Sequence, residues 1–267
     1  MARRQTDAAN PKDRWERHWE RYADSTRANP GQFLRRRLIT RLLGEVGSDA
    51  RILDLGCGSG DLLAALAETF PQAAFAGADQ SESGLGRTRQ DLPGAKLFQF
   101  DFSQPDTAPE ELRGWASHVV CSEVLEHLDD PAPALDAAAL CLRPGGRLVV
   151  TVPGGPMTAF DRHIGHRGHF TKARLIETLE GAGWRVETAA AAGFPVFNLY
   201  RLVVLMRGRR LIDDVSGRPG PLARGVMALF RNLMPLALFD SPGGWQIVAS
   251  AREPAKGPAK GQGRRPD

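Results

Sequence analysis

The acidic residues of this chain fall where carboxylates can do chemistry. Asp54, Asp79, Asp101 and Glu123 stand at or just beyond the ends of short apolar segments, and Glu126-His127 follow closely. Carboxylates so placed accept hydrogen bonds from hydroxyl or amino groups and attract positive charge. Between the first two lies Asp54-Leu-Gly-Cys-Gly-Ser-Gly-Asp61, with Gly56, Gly58 and Gly60 on alternate positions. Such glycines let backbone turn sharply and approach a ligand closely. A dinucleotide turn would carry a further glycine where Asp61 stands. Two acids beside the turn suit a positively charged ligand better than a pyrophosphate, although Asp61 can equally serve the dipole of a helix start. Asp79, twenty-three residues beyond Gly56, is spaced to hold ribose hydroxyls. The alternative is a helix-capping aspartate before Gln80-Ser81.

The histidines offer proton chemistry. His127 is a candidate general base for a hydroxyl acceptor, or else a helix-start histidine bonded to backbone. His163, His166 and His169 recur at spacings of three. On one helical face they would make a metal site, but Gly165 and Gly168 interrupt such a helix. A loop closing a pocket, with His166 or His169 meeting the acceptor, is expected instead. Glu123, Glu126 and His127 are a second set able to hold a divalent ion. No metal is expected at either.

Alternating strands and helices must position these groups. Ile52–Leu55 forms a buried strand and 62–68 a helix. Strands follow at 73–78, 95–100, 117–122 and 147–152, with a helix over 132–142 and a turn at Arg143-Pro-Gly-Gly146. This alternation predicts a doubly wound, mostly parallel sheet, with ligands outside the carboxyl ends of its strands. Upstream, Asn10-Pro11 opens a helix bearing Trp15, Trp19 and Tyr22 on one face, and a second amphipathic helix spans Gln32–Val46. The aromatic stripe docks on the core, lids a pocket, or does both. Thr171 caps a helix to Ala182.

The chain has 267 residues, 42% of them hydrophobic and 25% charged, a net charge of +4 and three cysteines. That is one large soluble domain without a disulfide framework. No secretory signal is apparent and no run reaches the length of a membrane span. The basic residues crowd the ends, where solvated flanks are expected and nucleic acid is not a partner. Residues 1–9 and 253–267 are expected to be disordered around a domain at 10–252, with N-terminal helices over 10–48.

Taken together, Ile52-Leu-Asp-Leu-Gly-Cys-Gly-Ser-Gly-Asp61, Asp79, Asp101-Phe102, Glu123-Val-Leu-Glu-His127 and Leu142-Arg-Pro-Gly-Gly-Arg-Leu148 resemble the class I S-adenosylmethionine-dependent methyltransferases. The resemblance covers roughly residues 30–190. The Glu-Val-Leu-Glu-His form is similar to the quinone and natural-product subgroup. The resemblance implies a Rossmann-like, seven-stranded sheet ending in an antiparallel pair, for which 184–189 and 245–251 are the candidates. It implies that Gly56, Cys57, Gly58 and Gly60 lie against S-adenosylmethionine and that Asp54 sits near its amino group. Asp79 with Gln80 would hold the ribose, Asp101 and Phe102 the adenine, and Ser122 and Glu123 the methionine end.

Between Ala190 and Gly243 lie about fifty residues, far more than a hairpin needs. The stretches 194–206 and 226–239 are strongly apolar. They are expected to form a helical cap (194–239) over a small lipophilic or aromatic acceptor, most simply O-methylated by a cytoplasmic enzyme. The alternatives are packing on the domain or a dimer face, a peripheral membrane contact, action on a lipid or RNA, or a non-catalytic cofactor-binding role.

Overall fold

The structure, a computed structural model, describes Trp15, Glu16, Trp19, residues 29–207 and residues 220–253. The expected disordered ends, save Glu253, the Asn10-Pro11 helix start, Tyr22 and residues 208–219 of the expected 194–239 cap lie outside these.

Helix α1 (Pro30–Leu43) begins where local chemistry dictates. The Asn29 side chain accepts from the Gly31 amide at 2.8 Å, and Pro30 takes the first helical position. Gly44, at φ 71°, ends it. The expected Gln32–Val46 was therefore late at both ends, because hydrophobic periodicity alone ignored the Asn-Pro start and the glycine stop. Leu34, Leu38, Ile39, Leu42 and Leu43 form its buried stripe.

The remaining elements in order are β1 (Arg51–Leu55), α2 (Asp61–Thr69), β2 (Ala74–Asp79), α3 (Glu82–Asp91), β3 (Lys96–Gln99), β4 (Ala116–Ser122), α4 (Ala132–Cys141) and β5 (Leu142–Pro153). Then come α5 (Ala159–His163), α6 (Lys172–Gly181), β6 (Arg185–Ala192), α7 (Val196–Arg207), α8 (Pro221–Leu233) and β7 (Gln246–Arg252). The seven strands run in the order β3-β2-β1-β4-β5-β7-β6. β7 is antiparallel to both β5 and β6, while the β1–β5 pairings are parallel. This is the expected Rossmann-like sheet.

Alternate residues of each central strand serve opposite faces. Leu53, Val119 and Val150 pack with α4 and α6. Their neighbours Ile52, Val120 and Val149 pack with α1, α2 and α7. Burial on both faces explains why these strands read as unbroken apolar runs. Arg143-Pro-Gly-Gly146 is no free-standing turn. It is a bulge inside β5, whose pairing with β4 jumps from Ala116–Leu142 to His118–Arg147.

Candidate active site

The ends of β1, β2 and β4 converge on one cavity of about 810 Å³. Its floor is the glycine turn. Gly56, Gly58 and Gly60 all have positive φ, 51–85°. The turn's amides are used internally. Gly56 and Cys57 donate to the Ala78 carbonyl at 2.8 and 3.1 Å, Gly60 donates to Cys57, and Gly58 donates to Asp79 Oδ2 at 2.8 Å. None of these four is left to cradle a phosphate, which is why the turn suits another ligand. A Cβ on Gly58 would strike the Trp19 indole, so glycine is required there twice, by conformation and by contact.

Asp79 is clasped from two sides, by Gly58 and by the Ser81 amide at 2.9 Å. Burial pushes its carboxyl up to about 6 against those two donors. Asp54, buried 2% exposed at the end of β1, is pushed to about 7 by burial and by the Asp79 charge. Two buried like charges are relieved by a cation set between them. Above them Glu16 caps α3, accepting from the Glu82 and Ser83 amides at 2.7 and 2.8 Å. Sequence reading passed over this residue; Trp15 and Trp19 beside it face the cavity.

Glu123 sits just past β4 with φ 59°, a left-handed conformation that costs a non-glycine residue about 1–3 kcal/mol. Its carboxylate is fixed by Arg35 at 3.3 Å, Gln246 Nε2 at 2.9 Å and Thr151 Oγ1 at 3.1 Å. Arg35 and Gln246 were not anticipated, since they come from α1 and β7, at opposite ends of the chain.

At the other end stand the histidines. The segment expected as a loop contains α5, started by a reciprocal capping box between Thr158 and Asp161. That Thr-x-x-Asp pattern was legible and was missed. Asp161 also meets Arg201 of α7 at 2.9 Å. Burial opposes its charge, but Arg201 outweighs it and holds the carboxyl at about 2. His169 Nδ1 lies 3.0 Å from the Gly155 carbonyl, and His166 Nδ1 lies 3.2 Å from His169 Nε2. The carbonyl only accepts, so the His169 proton is on Nδ1. Its Nε2 then accepts from His166 Nδ1–H, and the lone pair of His166 is on Nε2. Burial pushes His166 down to about 4 against the pull of Asp161 and Glu123. The His127 ring packs edge-on against His166 and Trp15, at centroid distances of 4.6 and 4.7 Å.

Of the residues singled out by sequence, Asp54, Gly56, Cys57, Asp79, Gln80, Phe102, Ser122, Glu123, His127 and His166 line the cavity. Gly58, Gly60, Asp101 and His169 stand behind it. The Asp101 carboxylate is taken by Ser103 and Gln104. Two groups could hold a metal: Glu126 with His127 and His166, and Asp161 with His166 and His169, the candidate ligand atoms of each lying within 4.8 Å of one another. The second is already knitted to Arg201 and Gly155. In the first, Glu126 is 1% exposed and neither carboxyl oxygen has a hydrogen-bond partner among the described residues. Burial and the Glu123 charge push it well above the ordinary carboxylate range. The outer wall is apolar: Val203 and Val204 of α7, and Leu222, Val226 and Met227 of α8.

A family model described as a methyltransferase domain matches residues 31–189. A trans-aconitate 2-methyltransferase of Deinococcus radiodurans is 34% identical over 61% of this chain and 59% of its own length. A ubiquinone biosynthesis O-methyltransferase of Pseudomonas aeruginosa is 29% identical over 75% of this chain and 88% of its own. The chain spans about half the length of the first curated relatives it matches. Among solved structures, a geranyl diphosphate C-methyltransferase from Streptomyces coelicolor, complexed with Mg²⁺ and S-adenosyl-L-homocysteine, superposes with a TM-score of 0.54. It is 13% identical over 82% of this chain and 75% of its own. That likeness is one of fold.

Proposed function

The chain belongs to the class I S-adenosylmethionine-dependent methyltransferases, and we propose that it moves the methyl group of that donor to the hydroxyl of a small lipophilic or aromatic acceptor. The observation that carries the reading is the shared cavity. Buried acids suited to a cationic donor line one end, and a histidine with its lone pair on Nε2 lines the other, beside the apolar wall of α7 and α8.

Asp54 and Asp79 neutralise the donor's ammonium and hold its ribose, with Gln80 beside them. Adenine would lie against Phe102 and Asp101, whose carboxylate would accept from its amino group and also accepts from Ser103 and Gln104. Glu123, Ser122 and the glycine turn fix the methionine arm. The sulfonium methyl is already activated, so alignment supplies most of the acceleration, about 7–11 kcal/mol in favourable cases. S-adenosylmethionine, when bound, would supply the methyl group to the attacking acceptor oxygen, with the methyl–sulfur bond broken and S-adenosylhomocysteine left as a neutral sulfide. The hydroxyl proton passes to His166 Nε2. The proton on His166 Nδ1 can move on to His169 Nε2, which lies 3.5 Å from the ionised Asp161. His127 orients His166 and packs under Trp15. Helices α7 and α8 cap the acceptor, and their apolar faces suit a peripheral position at a membrane. No described helix is long and apolar enough to cross one.

A second reading is favoured by Glu126 alone. An unpartnered carboxyl beside His127 and His166 fits a divalent cation that would acidify the acceptor hydroxyl. Calorimetry with S-adenosylmethionine, followed by transfer of labelled methyl into organic-extractable acceptors, tests the main reading. Absence of donor binding overturns it. Donor binding with transfer only to water-soluble polyacids overturns the lipophilic acceptor.

A further inference from the structure

Every large hydrophobic side chain that stands exposed among the described residues lies between Phe194 and Leu238. On α7 they are Leu199, Leu202 and Met206, at i, i+3 and i+7. On α8 they include Leu222, Leu229 and Leu233, at i, i+7 and i+11. Leu222 is 82% exposed and Met206 78%. Both sets are single stripes at helical spacing. Exposed apolar stripes of this kind on two neighbouring helices mark something that covers them.

What covers them is constrained by charge. The two helices carry Arg201, Arg207, Arg224 and Arg231 and no acidic residue. On α8 the arginines lie on the side opposite the leucines, the division of an interfacial helix. The chain as a whole has a net charge of +4. Of the chain's stretches outside the described residues, 1–14 and 254–267 contain no large hydrophobic beyond Met1 and 20–28 only Tyr22, while 208–219, which carries Leu211, Ile212 and Val215, also carries Asp213 and Asp214. The stripe is also continuous with the cavity: Leu222, exposed as it is, lines the mouth together with Arg207 and Pro221.

We propose that α7 and α8 form a docking surface for an anionic phospholipid bilayer, with the cavity mouth facing the interface so that the acceptor enters between the two helices. The leucines and Met206 sink to the acyl boundary, while Arg207 meets headgroup phosphates. Only the entry route rests on the lipophilic-acceptor reading; the docking itself does not.

The test is co-sedimentation of the full chain with large unilamellar vesicles of phosphatidylcholine, with and without phosphatidylglycerol, in the absence of any acceptor. Binding to the anionic vesicles that weakens with added salt is expected. The double variant Leu202→Glu/Leu229→Glu, whose side chains neither line the cavity nor join the core, should lose it by tenfold or more. Unchanged S-adenosylmethionine affinity by calorimetry would show that this variant is folded. Equal binding to both vesicle types would overturn the anionic partner. No binding to either, or sedimentation velocity showing a dimer that the double variant dissociates, would overturn the membrane and assign the stripe to self-association. Vesicle binding with no turnover of lipophilic acceptors would leave the docking standing and remove the acceptor reading.

Discussion

His166 Nδ1 stands 3.2 Å from His169 Nε2, and the Gly155 carbonyl behind His169 fixes the direction in which that hydrogen bond runs. Of the two, only His166 lines the cavity; His169 is the positioning residue. His166→Asn should therefore lower kcat by about 10²–10⁴-fold with little change in the KM for S-adenosylmethionine. His169→Ala should cost less at saturating acceptor, because His166 remains but samples both tautomers. The distinguishing readout is nitrogen-15 NMR of the imidazoles. In the parent, His166 should carry its proton on Nδ1; in the His169 variant the preference should collapse. A fixed tautomer that survives the loss of His169 would remove the relay.

The two buried acids of the donor end predict opposite pH trends for stability and binding. Asp54 is raised to about 7 from an ordinary value of 3.8, and Asp79 to about 6. A carboxyl whose folded value lies above its unfolded one stabilises the fold most below the unfolded value, and that contribution is lost as pH rises through the folded value. The melting temperature of the unliganded protein should thus fall between pH 4 and pH 8 through these groups. Asp54→Asn should flatten that part of the curve and raise stability at pH 8. The same ionisation is what a cationic donor needs. Affinity for S-adenosylmethionine should drop as pH falls below about 7, and Asp54→Asn should lose most of it throughout. With His166 at about 4, kcat at saturating donor should hold to lower pH than kcat/KM for the donor. Differential scanning calorimetry and titration calorimetry across pH check both halves.

Much of this was legible in the sequence because it is local. The strand–glycine–helix turn and the strand-end acids follow from patterns within one or two elements, while the antiparallel closing pair was implied by the family resemblance. The glycine turn's hydrogen bonding was not legible. Nothing in Gly-Cys-Gly-Ser-Gly says that its amides will be consumed by Ala78 and Asp79 instead of a ligand. Nor could spacing bring Arg35 and Gln246 to Glu123, since a sheet order of β4-β5-β7 and a helix from before β1 decide it. Asp161 was hidden differently: it sat in plain view among histidines that drew the attention, yet its capping box and its Arg201 partner, forty residues on, set the acceptor end.

Glu123 gives a test of strain against contact. Its φ of 59° would suit glycine, and its carboxylate joins Arg35, Gln246 and Thr151. Glu123→Ala loses the contacts and keeps the strain; Glu123→Gly loses the contacts and releases it. Glycine should therefore be the more stable variant by about 1 kcal/mol, the reverse of the usual order. Both should weaken donor binding, and Glu123→Gln should rescue much of the stability. Chemical denaturation of the three variants reads the order directly. Alanine more stable than glycine would mean that the left-handed conformation relaxes without cost.

Glu126 decides between a proton and a metal. With both oxygens unpartnered and 1% exposure, an ionised carboxylate cannot stay there alone, because the desolvation of an unpaired charge costs several kcal/mol. Either it is a neutral acid, as its raised value indicates, or a cation joins it with His127 and His166. As a neutral acid, Glu126→Gln should preserve the fold and most of the methyl transfer, and exhaustive chelation should leave kcat unchanged. As a ligand, the same substitution should reduce kcat about as far as chelation does, and Mg²⁺ or Mn²⁺ should restore the chelated parent but not the variant. Mn²⁺ titration followed by electron paramagnetic resonance gives the answer without turnover: a bound signal in the parent that Glu126→Gln abolishes would establish the metal.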